Sequence, residues 1–160
     1  MTTAAHAATI RAEYKAKGWT SRDISVTSSS YSMGSSITVR IKNPAVPLAA
    51  AEAIANGHES IRRCEYSGEI LSGGNRYVSV GYSHEAATAI EAQYADVLNA
   101  AAAAIEADPS DRSLHPVGDT GFLLGRGSQG SGFSLWQDSH IALAHRAIDL
   151  AVTLHARRTR

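Results

Sequence analysis

Between Ile24 and Ile41 apolar and polar side chains alternate. Ile24 and Val26, then Ile37, Val39 and Ile41, interleave with Ser25, Thr38, Arg40 and Lys42. A period of two marks strands with one face packed and the other offered to water or to a partner. The serine-rich run from Ser28 to Ser35 has turn chemistry in place of that alternation, so it predicts a long hairpin tip. Tyr31 and Met33 sit in this tip, either folded back as a lid or presented outward. A second period-two stretch, Arg76 to Tyr82, sets Val78, Val80 and Tyr82 on one side and Tyr77, Ser79 and Gly81 on the other. Turn signals at Tyr66-Ser67-Gly68 and Gly73-Gly74-Asn75 suggest a second hairpin, with Ile70-Leu71 as the partner of this strand and Ile61 to Glu65 ambiguous before it.

Helical spacing fills the intervals. Ile10 and Tyr14 share a face of a helix over about residues 5–17, Gly18 stands at its C-terminal cap, and Trp19 pins its end onto the first strand. Pro47 suits a first helical turn, followed by an apolar stripe of Leu48, Ala51, Ile54 and Ala55 that Asn56-Gly57 ends. Ser83 can cap the longest helix, 84–107, whose stripe includes Ile90, Tyr94, Val97, Leu98, Ala101 and Ile105. Its alanine-rich second half suits close approach of another helix, including that of a second copy in a homodimer. Asp108-Pro109 stops it. Phe122 to Leu124 and Phe133 to Trp136 read as strands joined by a glycine-rich connection, and Ser139 can cap a final helix to about His155. The predicted fold is α+β in a single domain, residues 1–160, with antiparallel hairpins and four helices in the order α-β-β-α-β-β-α-β-β-α. Residues 10–83 form one half and residues 84–160 the other.

Composition narrows the setting. The 15 basic and 15 acidic residues balance, yet they segregate: residues 1–83 carry nine basic and six acidic side chains, residues 84–119 one and seven, and residues 120–160 five and two. Cys64 is the single cysteine, which excludes an internal disulfide and fits a reducing compartment. The first residues lack the pattern of a secretory signal, and the longest apolar run, residues 100–105, is far short of a membrane span. These features point to a cytoplasmic protein without membrane contact.

Four strings carry a resemblance: Ala16-Lys17-Gly18-Trp19-Thr20; Tyr31-Ser32-Met33-Gly34-Ser35-Ser36; Ile41-Lys42-Asn43-Pro44; and Gly68 through Val78, Gly-Glu-Ile-Leu-Ser-Gly-Gly-Asn-Arg-Tyr-Val. Together they make residues 10–82 resemble the large polyvalent protein-associated domain family, number twenty-nine of that series. The family occurs in large multidomain proteins of phages and conjugative elements that are thought to accompany mobile DNA into a new host and protect it. The resemblance implies a counter-defence setting and no catalytic residue. Residues 84–160 have no counterpart in it, and a short, apparently free-standing chain departs from the family's usual setting.

Candidate chemistry is weaker than this. Gly125-Arg126-Gly127-Ser128-Gln129-Gly130 satisfies G-x-G-x-x-G, but Phe133 to Trp136 reads as a strand where a dinucleotide site needs a helix to begin. A flexible glycine hairpin explains it. Of the seven histidines, His140 and His145 lie five apart on different helix faces, and His145 with Asp149 reads as a surface pair. His115, read in a loop with Asp111 and Asp119, is the better catalytic candidate, but no nucleophile can be placed beside it. For recognition, the relevant set is Arg22, Arg40 and Lys42 on the first hairpin, Arg62, Arg63 and Arg76 near the second, and Tyr31 and Tyr77 as stacking platforms.

The expectation is therefore a non-enzymatic binding protein without cofactor or metal, from a phage or other mobile element. It would inhibit CRISPR-Cas or restriction by occupying a nucleic-acid or subunit surface, its partner being a host defence protein or a nucleic acid. The alternatives are a DNA- or RNA-associated accessory factor and a small hydrolase or transferase using His115 and the glycine hairpin.

Overall fold

The computed structural model describes residues 1–107, 114–117, 122–125, 151–156 and 159. The chain is α+β and divides into two compact units, Met1–Ser83 and His84–Arg160.

In the first unit, α1 (Thr3–Ala16) precedes β1 (Ile24–Tyr31) and β2 (Gly34–Ile41), then α2 (Leu48–Asn56) and β3 (Asn75–Tyr82). The Thr2 side chain caps α1 by accepting from the Ala5 N–H at 3.2 Å, which starts the helix two residues before the apolar spacing alone suggests. At the other end, Gly18 takes a φ of 85°. Its N–H reaches the Lys15 carbonyl and the Trp19 N–H reaches that of Tyr14, both at 3.0 Å. This is a Schellman cap, completed by the Tyr14 and Trp19 rings with centroids 5.7 Å apart. Trp19 is thereby fixed against the core, as its position after the glycine predicts.

The sheet is three-stranded, in the order β1-β2-β3. β1 and β2 pair antiparallel from Ile24 opposite Ile41 through to Tyr31 opposite Gly34. The expected long tip is thus a correction: the strands continue through the serines, and only Ser32 and Met33 form the turn. Two-residue hairpin turns usually announce themselves with Asn-Gly or a similar pair, and this one has neither. Tyr31 and Met33 are exposed and do not close over the core.

The second hairpin is also corrected. β3 pairs with β2 in parallel, Ile37 opposite Val78 and Ile41 opposite Tyr82, because residues 42–74 with α2 provide the long crossover that parallel neighbours need. Ile61 to Glu65 and Ile70-Leu71 form isolated bridges only, Ser60 to Arg76 and Arg63 to Ile70. A ladder cannot continue there because the Arg62 N–H is taken by the Asn75 side chain at 2.9 Å. One strand therefore stands between α2 and the next helix where two were expected.

Alternation along the strands gathers Ile24, Val26, Ile37, Val39 and Ile41 on one face, where α1 supplies Ala7, Ile10 and Tyr14, and α2 supplies Ala51 and Ala55. Ile10, Ile37 and Ile41 are fully buried, each contributing roughly 2 kcal/mol of transfer free energy. Val78, Val80 and Tyr82 extend this core along β3. Tyr14 donates to the Ala51 carbonyl at 2.9 Å, joining α1 to α2, and Tyr82 to that of Val46 at 2.9 Å, joining β3 to the loop before α2.

The second unit opens with α3 (His84–Ala107), followed by β4 (Leu114–Val117) and β5 (Phe122–Gly125), an antiparallel pair. Ala86, Ala87, Ile90, Tyr94 and Leu98 form the buried stripe of α3, and Ala151, Leu154 and His155 are buried on helical residues 151–156. The His155 ring meets Tyr94 edge-on, with centroids 6.2 Å apart. β4 replaces part of the loop expected after Asp108-Pro109, and it pairs with β5 in the place assigned to Phe133 to Trp136. Those residues, the glycine run after Gly125 and most of the final helix lie outside the described residues. No described helix is long and apolar enough to cross a membrane.

Candidate interaction surface

The core fills one side of the three-stranded sheet. On the other, the register sets four cross-strand rows: Ser25, Arg40 and Gly81; Thr27, Thr38 and Ser79; Ser29, Ser36 and Tyr77; Tyr31, Gly34 and Asn75. Neither helix of the first unit packs on this side, and its side chains are exposed or half-buried apart from Asn75. Of the twelve positions only Arg40 carries a charge. From the Arg40 row to the Tyr77 row, four residues along each strand, the face runs about 13 Å, given a rise of about 3.3 Å per residue.

Glycines shape both ends of the face. Gly81 lies under Arg40, whose guanidinium stands 3.8 Å from where a Cβ would project. Gly34 lies under the Tyr31 ring, 3.4 Å from its Cβ position. Tyr77 is held by its neighbour, the Asn75 amide donating to the Tyr77 hydroxyl at 3.3 Å.

Asn75 organises this end, and nothing in the sequence reading singled it out. It is 2% exposed. Its amide also donates to the Leu71 carbonyl at 2.7 Å, and its side-chain oxygen accepts from the Arg62 N–H. The available signal was the pair Gly73-Gly74 before it, with φ of 82° and 72°, a turn tight enough to need an internal hydrogen-bonding partner.

The eight residues read as a recognition set do not form one surface. Tyr31, Arg40 and Tyr77 share the open face. Arg22 and Lys42 lie beyond the strand ends on the side of the Thr20–Asp23 turn, Lys42 donating to the Ser21 carbonyl at 3.0 Å. Arg62 and Arg63 are exposed on the crossover, where Arg63 donates to the Gly68 carbonyl at 3.2 Å. Arg76 is in register with Ile37's row of core-facing positions, opposite Ser35, and its Nε donates to the His58 carbonyl at 2.5 Å. It faces away from Arg40.

Arg76 belongs to a titratable cluster on the helix side. The Nδ1 atoms of His6 and His58 lie 3.3 Å apart, and His58 Nε2 meets Glu13 Oε2 at 3.1 Å. One ring nitrogen must donate and the other accept, so the contact holds a single proton. Desolvation first, then the Arg76 guanidinium and His58, hold the His6 pKa below its usual value. Among the described residues no three His, Cys, Asp or Glu side chains converge as a metal site. The lone thiol, Cys64, is half-buried beside the exposed turn of the crossover, where hydrogen bonds with Ser67 hold its pKa below the usual value.

The enzyme candidates fall in the second unit. His115 is a β4 residue paired with Leu124 and not a loop residue as expected, because the chain past Asp108-Pro109 returns to an extended ladder. Asp111, Asp119, His140, His145, Asp149 and Arg126 to Gly130 lie outside the described residues. No protein-family profile, curated protein or solved structure matches the chain.

Proposed function

We propose that the chain is a non-enzymatic binding protein whose open sheet face is its contact surface. The observation that carries this reading is the composition of that face. Serine, threonine, tyrosine, glycine and asparagine surround one arginine, where a merely solvated strand face usually carries mixed Lys and Glu. Tyr, Ser, Gly and Asn with an occasional Arg is the mixture that adaptable protein-binding surfaces use: rigid aromatic rings for area, small hydroxyl groups for hydrogen bonds. Low charge at the centre of a patch is likewise an interface property.

The resemblance of residues 10–82 to a mobile-element family supplies the setting. In it, the chain blocks a host defence complex such as a CRISPR-Cas or restriction enzyme by seating this face on a subunit or nucleic-acid surface. The action is stoichiometric. Tyr31, Tyr77 and Arg40 on one face also favour a second reading, a single-strand DNA or RNA accessory factor, because bases stack on such rings beside a cation.

Mobility of single-stranded DNA and RNA oligonucleotides, measured against salt, separates the two. Binding with a steep negative salt slope that is lost on Tyr77→Ala supports the nucleic-acid reading. Absence of any shift, together with capture of a host defence subunit that Arg40→Glu abolishes, supports the inhibitor.

A further inference from the structure

A second concave surface lies along the outer edge of the sheet in the same unit, and of the twelve open-face positions only Ser25 also lines it. It is a groove of about 480 Å³ between the last turns of α1 and the outer strand β1, and it includes Arg11, Lys15, Trp19, Ile24, Val26 and Lys42 in its lining. Its size falls within the range of ordinary ligand sites. Ile24 and Val26 give it an apolar floor, and both are buried from solvent by at least nine-tenths. Trp19, half-buried, forms a wall.

The groove's charge is one-sided. Three cations line it and no carboxylate does. The two acids nearest in sequence are committed elsewhere: Asp23 accepts from the Thr20 N–H at 2.8 Å, the Thr20 hydroxyl at 2.9 Å and the Asn43 amide at 2.8 Å, while Glu13 meets His58. Arg11 reaches across to donate to the Val26 carbonyl at 2.6 Å. This fixes its guanidinium at the rim with donors to spare, since the group has five N–H bonds in a rigid fork. Lys15 and Lys42 each bring an ammonium to the same groove.

An apolar floor bordered by uncompensated cations fits a ligand that is itself apolar in the middle and anionic at its ends. We propose that the groove binds a short acidic peptide segment of a partner protein, with an apolar or aromatic side chain seated on Ile24, Val26 and Trp19 and its flanking carboxylates on Arg11, Lys15 and Lys42. Arg11 accepts a carboxylate as a fork, and the two lysines act as point charges. The location against the outer strand favours an extended segment over a helix, because an edge strand leaves alternate backbone groups free to pair, here those of Ser28 and Ser30 beyond the position Arg11 occupies.

The test uses the full chain and a defined probe, acetyl-Glu-Asp-Phe-Asp-Glu-amide, with its Gln/Asn counterpart as the neutral control. Binding is read by calorimetry and by Trp19 emission in a Trp136→Phe background. The expected result is saturable binding of the acidic peptide, at least tenfold tighter than the neutral one. It should weaken by about tenfold between roughly 0.05 and 0.5 M salt as the Debye length shortens. Lys15→Glu with Lys42→Glu should reduce affinity at least tenfold, and the charge-neutral pair Lys15→Gln with Lys42→Gln by a smaller factor, with unchanged circular dichroism. Arg40→Ala should leave it unchanged. Equal binding of both peptides, or full affinity in both lysine variants, overturns the proposal. So does an oligonucleotide that quenches Trp19 through the same lysines while the acidic peptide does not bind.

Discussion

The carbonyl oxygen of Asn75 lies 2.8 Å from the point that a Cβ on Gly34 would occupy. The two residues are register partners in the parallel ladder, and the Tyr31 ring covers the same point from the other side. Glycine is required here for closeness, since its φ is not in the left-handed region. Gly34→Ala forces β2 and β3 apart at this end and displaces Tyr31. The expected loss is about 2 kcal/mol, typical of overpacking, and a lowered urea midpoint at unchanged slope would register it.

Asn75 itself joins the crossover to the sheet. Asn75→Ala strands the Arg62 N–H and the Leu71 carbonyl and frees Tyr77. A buried group left unpaired costs about 1–3 kcal/mol; these bonds are only partly buried, so a destabilisation at the low end, about 1 kcal/mol, is expected. Hydrogen exchange should show it as faster exchange confined to residues 60–77, and a uniform change across the first unit would contradict the hub role.

Stability should fall on mild acidification. The His6 pKa is lowered in the folded chain from the usual 6.5, so the unfolded chain takes up the proton first, and stability decreases as pH drops below about 6.5. The groups facing His6 are His58, Arg76 and the N-terminus, with Glu13 behind His58. A protonated His6 can no longer accept in the 3.3 Å contact. Asp23 also has a lowered pKa, but its loss begins only below about 3.8. Urea midpoints at pH about 7.5 and 5.5 should differ in the wild type and differ less in His6→Asn.

The alkaline limb is separate. Burial pushes the Tyr14 hydroxyl up to about 12, above its unfolded value of 10.0, so the stabilisation is complete below pH 10 and is lost as pH rises towards 12. Tyr14→Phe deletes the bond to the Ala51 carbonyl and should cost about 1 kcal/mol at neutral pH. Its unfolding midpoint should then be less sensitive to pH above 10.

What could be read in advance follows from how local each signal is. Gly18-Trp19 announced a cap and a core anchor because the whole Schellman arrangement spans six residues. The bounds of α3 were legible from one apolar period and from Asp108-Pro109. The serines of β1 were not, because their strand character comes from the ladder to β2 and not from their own propensity. Arg76 was misgrouped by its charge, although period two from Val78 already put it on the core-facing side. His6 and His58, 52 residues apart, and the groove cations Arg11 and Lys15 become neighbours of other elements only through the fold.

The central claim is that the open face of the sheet makes the functional contact. Its most direct test is phage plaquing on hosts with an active CRISPR-Cas or restriction system, expressing either the wild-type chain or the double variant Arg40→Glu with Tyr77→Ala. These substitutions leave every core position untouched. The account predicts that the wild type restores plaquing on a defended host and that the variant, folded and equally abundant, does not. Full protection by the variant, or none by the wild type on any such host, would contradict it.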